Sequence, residues 1–122
     1  MRRIVLRVVA TIIGLIQIFF GIGFSLFPSQ LMTMLGYSPI PTYLAGLAGA
    51  RFLAMAAAMA LVVTNPVKYA LLTWIMVGVQ TVDVIVAIIA VINGAPLGQM
   101  MGAIVLPALW VVLLSIFAEK KL

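Results

Sequence analysis

The chain has 122 residues, of which 66% are hydrophobic and only 7% are charged, and its formal net charge is +5. A soluble domain carries roughly 45–50% apolar and about 25% charged residues, so this composition predicts a protein whose solvent is lipid. The sequence contains no Cys and no His. That excludes disulfides, thiol chemistry, histidine-ligated haem and ordinary zinc sites, and we expect no cofactor.

The first predicted element is an uncleaved membrane-spanning helix over about residues 3–27. Its apolar run is longer than the core of a secretory signal, and it ends at Pro28. Small and polar residues share one helical face, which favours close approach of a second helix. Gln17 lies on that face, either as a packing residue bonded to a neighbouring helix or as a ligand contact. The face comprises Ala10, Gly14, Gln17, Gly21 and Ser25.

The second predicted helix spans about residues 43–64, after a segment, 28–42, that is either a short interfacial helix or a plain loop. The helix is rich in Gly and Ala and contains one full charge, Arg51. A charge within an apolar span is costly and needs a partner. We predict that Ala50 and Ala54 lie in the close-packed centre, where Leu in their place would overpack the structure.

The third predicted helix runs from about residue 67 to residue 92, directly after an Asn65-Pro66 turn. One face carries polar and small residues, and the opposite side, which includes Ile85 and Ile88, is predicted to face lipid. Asp83 on the polar face is the only acidic residue within an apolar stretch. The face comprises Thr73, Met76, Gln80, Asp83, Ala87 and Ala90.

The fourth predicted helix spans about residues 97–118 and contains Pro107, which removes one backbone hydrogen bond and favours a kink. Four helices with short connections predict an all-α fold. The expected architecture is an integral membrane four-helix up-down-up-down bundle that forms a single domain over residues 1–122.

The basic residues predict the orientation of the helices. Six of them fall on the side that holds both chain termini, and the loops 28–42 and 93–96 hold none. The positive-inside rule then places both termini in the cytoplasm of a multi-pass protein in the cell inner (plasma) membrane. Since the charges lie mostly at membrane edges, we expect a lipid-bilayer partner and no nucleic acid. The six residues are Arg2, Arg3, Arg7, Lys68, Lys120 and Lys121.

Helix lengths place a polar layer near the middle of the membrane. Gln17, Arg51, Asp83 and Pro107 come at one level, with Gln80 one turn deeper. In one interpretation, Arg51 and Asp83 form a buried pair that is held by the two glutamines and sets helix register. In the other, the layer is a pocket that binds a lipid, a quinone-like molecule or an anion through Arg51.

The Gly49-Ala50-Arg51 element of the second helix, together with Asp83 in the third, resembles the DoxX-like and BphX-like small four-helix membrane proteins of bacteria. The resemblance implies a bacterial membrane and a partner or anchor role beside oxidoreductase systems. We expect no catalytic activity of the chain itself. The function expected first is an accessory or scaffold subunit of a membrane complex, joined to other subunits or to itself through small-residue faces. The alternative is a carrier or binding protein for a lipid, quinone-like or anionic ligand.

Overall fold

The computed structural model describes residues 1–37 and 40–120, and within them the only regular secondary structure is α-helix. This confirms the predicted all-α class. Four helices are long and apolar enough to cross a membrane. Lys121, one of the six basic residues that predict the orientation of the helices, lies outside the described residues. The helices are α1 (Arg2–Leu26), α2 (Pro28–Leu35), α3 (Thr42–Thr64), α4 (Ala70–Ile92) and α5 (Leu97–Phe117).

The segment between the first two long helices forms the short helix α2, so the plain-loop alternative is wrong. Pro28 starts the helix, where its missing N–H costs nothing. Gly36 ends it with φ +73°, a left-handed conformation that glycine adopts without strain. The N–H of Tyr37 then donates to the carbonyl of Met32 at 3.0 Å, which closes the helix end. Leu31 and Met32 are the buried residues of α2 and form its inner face.

The sequence predicts that the third long helix begins at about residue 67, but α4 begins at Ala70. Asn65 does not cap α4, whose N-cap residue is Tyr69 and makes no side-chain cap bond; the side-chain oxygen of Asn65 instead accepts from the N–H of Lys68 at 3.0 Å. The four residues that follow, 66–69, form turns before the regular helix starts. The prediction that Asn65 caps a helix starting directly after it is therefore wrong, because the chain reverses direction through these turns before α4 begins.

Helices α1 and α3 form the most extensive helix–helix contact of the described chain. They run antiparallel, because Gly14 lies beside Met59 and Gly21 lies beside Leu53. The small-residue face of α1 is buried as predicted at Ala10, Gly14, Gln17 and Gly21, while Ser25 is exposed and lies next to Gly49. The glycines at these positions have no side chain, which allows the two backbones to approach closely.

The buried face of α3 differs from the predicted one. Ala50 and Ala54 are exposed, so the prediction that they form the close-packed centre is wrong. Small residues occur on every side of α3, and burial is decided by where α1 contacts it. The buried residues are Ala45, Gly49, Met55, Ala56, Met59 and Val62.

Helix α4 contacts α5 most extensively, and its buried face is the predicted one. Thr73, Met76, Gln80 and Ala87 are buried, whereas Ile85 and Ile88 on the opposite side are exposed. Contacts of α1 with α5 and of α3 with α4 are sparser. The four long helices thus form two close pairs, α1 with α3 and α4 with α5.

The two pairs are joined at the end of the molecule that holds the start of α1 and the end of α5. Arg2 donates to the carbonyl of Ala118 at 2.6 Å, and Arg3 pairs with Glu119 at 2.7 Å. The indole N–H of Trp74, near the start of α4, donates to the carbonyl of Glu119 at 2.8 Å. Three helices are therefore linked at this end by hydrogen bonds and one ion pair.

Candidate ligand cavity

A cavity of about 1090 Å³ lies between the two helix pairs and is lined by residues from all five helices. Ligand pockets in proteins usually measure about 300–1,000 Å³, so this one is large for a chain of its length. Val82 and Val86 of α4 line it and remain exposed, which leaves the cavity open through the side of the molecule.

Aromatic side chains form one wall of the cavity. Phe20 and Phe24 of α1 and Phe52 of α3 have ring centroids 5.6–6.2 Å apart. Trp110 of α5 and Tyr37, which is positioned by the end of α2, line the same space. Such rings provide a flat and rigid apolar surface for a hydrophobic molecule.

All four residues that the sequence marks for a polar layer line this cavity: Gln17, Arg51, Gln80 and Asp83. Pro107 lines it as well. These five residues come from the four long helices, so only the folded chain brings them together. Their role in binding a ligand stays a prediction, and their position at a shared cavity is what the structure adds.

Arg51 and Asp83 meet across the gap between α3 and α4, with the guanidinium Nη2 2.5 Å from the carboxylate Oδ1. Their side chains are 46% and 25% exposed, so the expectation of a buried pair is wrong. Within residues 1–37 and 40–120, neither Gln17 nor Gln80 hydrogen-bonds to either charge. The reason is geometric, because the pair lies at the open side of the cavity while both glutamines are buried.

Gln17 is only 4% exposed, yet its carbonyl oxygen Oε1 has no hydrogen-bond partner among the described residues. The expectation that it bonds to a neighbouring helix is therefore not met for this oxygen. Burying such a group without a partner costs about 1–3 kcal/mol. Gln17 itself lines the cavity, so this oxygen lies close to the space that a bound molecule would occupy.

Gln80 and Ala103 add two further polar groups to the cavity wall. The amide Nε2 of Gln80 donates only to the sulfur of Met76, at 3.5 Å, and a thioether is a weak acceptor. Pro107 has no N–H, so the carbonyl of Ala103 does not receive the usual helical hydrogen bond from it. The cavity thus combines apolar walls with a few polar groups whose hydrogen bonding is incomplete.

The aromatic wall was not predicted from the sequence. Phe20 and Phe24 are one helical turn apart on α1, and Trp110 is one turn after Pro107 on α5, so their spacing was visible. In an apolar helix the same spacing fits a lipid-facing surface equally well. Tyr37 depends on the left-handed turn at Gly36, which no hydropathy pattern indicates.

Thr73 also has a buried hydroxyl without a partner among the described residues, but it does not line the cavity. The structure gives no physical account of this second unpartnered group. The part of the chain that the structure describes contains no group of three His, Cys, Asp or Glu side chains. Its two acidic residues, Asp83 and Glu119, each pair with an arginine.

Comparison of the chain with protein-family models, with curated proteins and with solved structures found no match. The resemblance to DoxX-like and BphX-like membrane proteins therefore rests on Gly49, Arg51 and Asp83 and stays a prediction.

Proposed function

We propose that this is a multi-pass membrane protein that binds a hydrophobic small molecule in the cavity between its two helix pairs. It acts as a carrier or binding protein and has no catalytic activity of its own. The observation that carries the proposal is the unpartnered oxygen of Gln17 within a large, mostly apolar cavity. A ligand with an apolar body and a polar head would satisfy both parts of this site.

Insertion into a bilayer is supported by the outer surface of the four long helices. Large apolar side chains are exposed along each of them, including Ile12, Leu47, Ile85 and Val112. Exposure of so much apolar surface to water would be unfavourable, whereas lipid accommodates it. We place the helices alternately across the inner membrane as an up-down-up-down bundle, with α2 at one interface.

The orientation is supported by the end of the molecule that links α1, α4 and α5. Arg2, Arg3 and Lys120 lie there, and Lys120 stacks over the ring of Trp74 at 4.9 Å. Arg7 and Lys68 belong to the neighbouring turns of α1 and of the α3–α4 connection. By the positive-inside rule this end faces the cytoplasm, and the cavity then lies toward the outer half of the membrane.

The proposal is tested by native mass spectrometry of the gently extracted protein, compared with two matched variants. Gly102 lines the cavity, and a Cβ added to it meets no atom within 4 Å. Gly98 lies one turn earlier on α5 and has equally open surroundings, but it does not line the cavity. Gly102→Leu therefore places a side chain at the cavity wall, and Gly98→Leu provides the control.

We expect a bound hydrophobic molecule in stoichiometric amount in the wild type and in Gly98→Leu, and its loss in Gly102→Leu. Annular lipids would be retained equally by all three proteins, which separates them from a cavity ligand. Retention of the same molecule by Gly102→Leu, or absence of any stoichiometric molecule from the wild type, would contradict the proposal.

A second candidate function is the accessory or scaffold subunit of a membrane complex. It is favoured by the outer faces of α4 and α5, the least buried of the long helices, where Gly98 has open space around it. Small residues on an outer face permit close contact with another transmembrane helix. Co-purification of another membrane protein or a second copy, with the interaction lost in Gly98→Leu and kept in Gly102→Leu, would support this candidate.

A further inference from the structure

We infer that the ligand of the cavity is an uncharged amphiphile whose head group donates a hydrogen bond, such as a long-chain or ring-bearing alcohol or phenol. The inference rests on the proposed function, since it assumes that the cavity binds a hydrophobic molecule. The charges and hydrogen-bonding groups that line the cavity indicate the chemical class of that molecule.

The charge of the ligand follows from the Arg51–Asp83 pair. Among the described residues that line the cavity, these two are the only charged ones, and they contact each other at 2.5 Å. The positive charge of Arg51 is therefore already balanced within the protein. An anionic head would have to compete with Asp83 for the guanidinium, and it would leave a net negative charge in an apolar setting, which is unfavourable.

The need for a donor follows from the acceptors on the wall. The Oε1 atom of Gln17 is a buried acceptor without a partner in residues 1–37 and 40–120, and the carbonyl of Ala103 lacks its usual helical donor from Pro107. An acceptor-only head, such as an ether or a ketone, would leave Gln17 Oε1 unsatisfied. A hydroxyl group donates to such an oxygen, and it can also accept from the weakly engaged amide of Gln80.

The apolar body follows from the walls. Phe20, Phe24 and Phe52 form a contiguous aromatic surface, and Trp110 adds a further ring from α5. The exposed Val82 and Val86 leave a lateral opening through which an apolar chain can enter from lipid. The ligand thus reaches the polar groups head first, with its body between the rings and the opening.

Three brominated probes with the same alkyl chain test the inference: the alcohol, its methyl ether and the matching sulfonate, which stays anionic. Bromine quenches tryptophan fluorescence at short range, and Trp110 lines the cavity whereas Trp74 does not. In nanodiscs, the Trp74→Phe protein reports binding at Trp110. The Trp110→Phe protein reports partition of each probe into the surrounding lipid, and Gly102→Leu shows which quenching comes from the cavity.

We expect the alcohol to bind about three- to tenfold more tightly than the ether, the usual range for one hydrogen bond, and the sulfonate to bind most weakly. Gln17→Met removes one of the two acceptors at similar side-chain length, so it should reduce the preference for the alcohol over the ether. Asp83→Asn leaves Arg51 without its counter-charge, so it should raise sulfonate affinity relative to the alcohol.

The head-group comparison in the wild-type cavity needs no variant at Gln17 or Asp83 and remains decisive if either variant is unstable. Equal binding of alcohol and ether would overturn the donor requirement, and tightest binding of the sulfonate would show an anion site at Arg51. In both cases the proposed cavity function would stand. Quenching of Trp110 that Gly102→Leu does not reduce, or no quenching by any probe, would overturn the binding function itself.

Discussion

The α1–α3 pair and the α4–α5 pair are built from similarly apolar helices, yet they pack in different ways. In the most apolar stretches of α1 and α3, 39% and 28% of the residues are buried, against 17% and 11% in α4 and α5. Glycines account for much of the contrast. Gly21 and Gly49 are pressed against the opposite helix, whereas Gly78, Gly98 and Gly102 have open surroundings.

The difference indicates that the two pairs have different structural roles. The α1–α3 pair supplies a rigid wall, because its backbones are in near contact and its phenylalanines stack against one another. The α4–α5 pair encloses the remaining space and is held to the first pair by a hydrophobic core that all four long helices share and, in addition, by a few polar contacts. These contacts are the Arg51–Asp83 pair on one side and the bonds around Glu119 at the basic end.

The largest effect is expected where the two pairs are joined by charge. Asp83→Leu leaves Arg51 charged in an apolar setting, which costs about 2.5–3.5 kcal/mol on insertion scales. Arg51→Leu should be milder, because the guanidinium that Asp83→Leu leaves without a partner cannot lose its charge. Thermal unfolding in detergent measures the stability of both single variants and of the double variant.

The double variant, Arg51→Leu with Asp83→Leu, should recover much of the stability that the single variants lose. Recovery together with unchanged ligand binding would show that the pair serves helix register. A double loss equal to the sum of the two single losses would mean that the residues contribute independently, and the link between the two helix pairs would then have to lie elsewhere.

A smaller effect, of about 1–3 kcal/mol, is expected for Gly49→Ala within the close pair. The added Cβ would lie 2.8 Å from the carbonyl oxygen of Gly21 and 2.8 Å from the backbone nitrogen of Ser25. Backbone atoms cannot move aside cheaply, so α1 and α3 must separate. The same measurement of thermal unfolding applies, with Gly102→Ala as the counterpart in the other pair.

Gly102→Ala should leave stability unchanged or raise it by up to about 1 kcal/mol, since its Cβ meets nothing and alanine is the better helix former. Similar losses for Gly49→Ala and Gly102→Ala would show that the two pairs are packed alike. The contrast between a rigid wall and a loosely packed one would then be wrong.

A small stabilising effect at a buried residue is expected for Gln17→Met in the protein without ligand. The substitution removes a buried oxygen that has no partner in the described part of the chain, so we expect a gain of about 1 kcal/mol in the free energy of unfolding. Chemical or thermal unfolding of delipidated protein measures it, with Ile85→Met on the exposed face of α4 as a neutral control. Destabilisation instead would mean that Gln17 holds the α1–α3 pair together.

The sequence predicted the helices more securely than their packing. The apolar runs and the turn at Asn65 can be identified from local spacing, and the small-residue face of α1 was correct because it contrasts with large residues on its other sides. For α3 no such contrast exists, and Ala50 and Ala54 were assigned to the wrong face. The start of α4 also differed, since turn geometry rather than hydropathy determines where a helix becomes regular.

Composition and spacing by themselves determined that the chain is helical, that four helices are long and apolar enough to cross a membrane, and that Arg51 and Asp83 need partners. Only the tertiary structure decided that this pair lies at an open side of a cavity, that Gln17 is buried without a partner for its oxygen, and that Phe20, Phe24 and Phe52 form one wall. The physical reason is that hydropathy and helical periodicity are properties of one segment. Exposure, empty volume and missing hydrogen bonds depend on which other segments surround it.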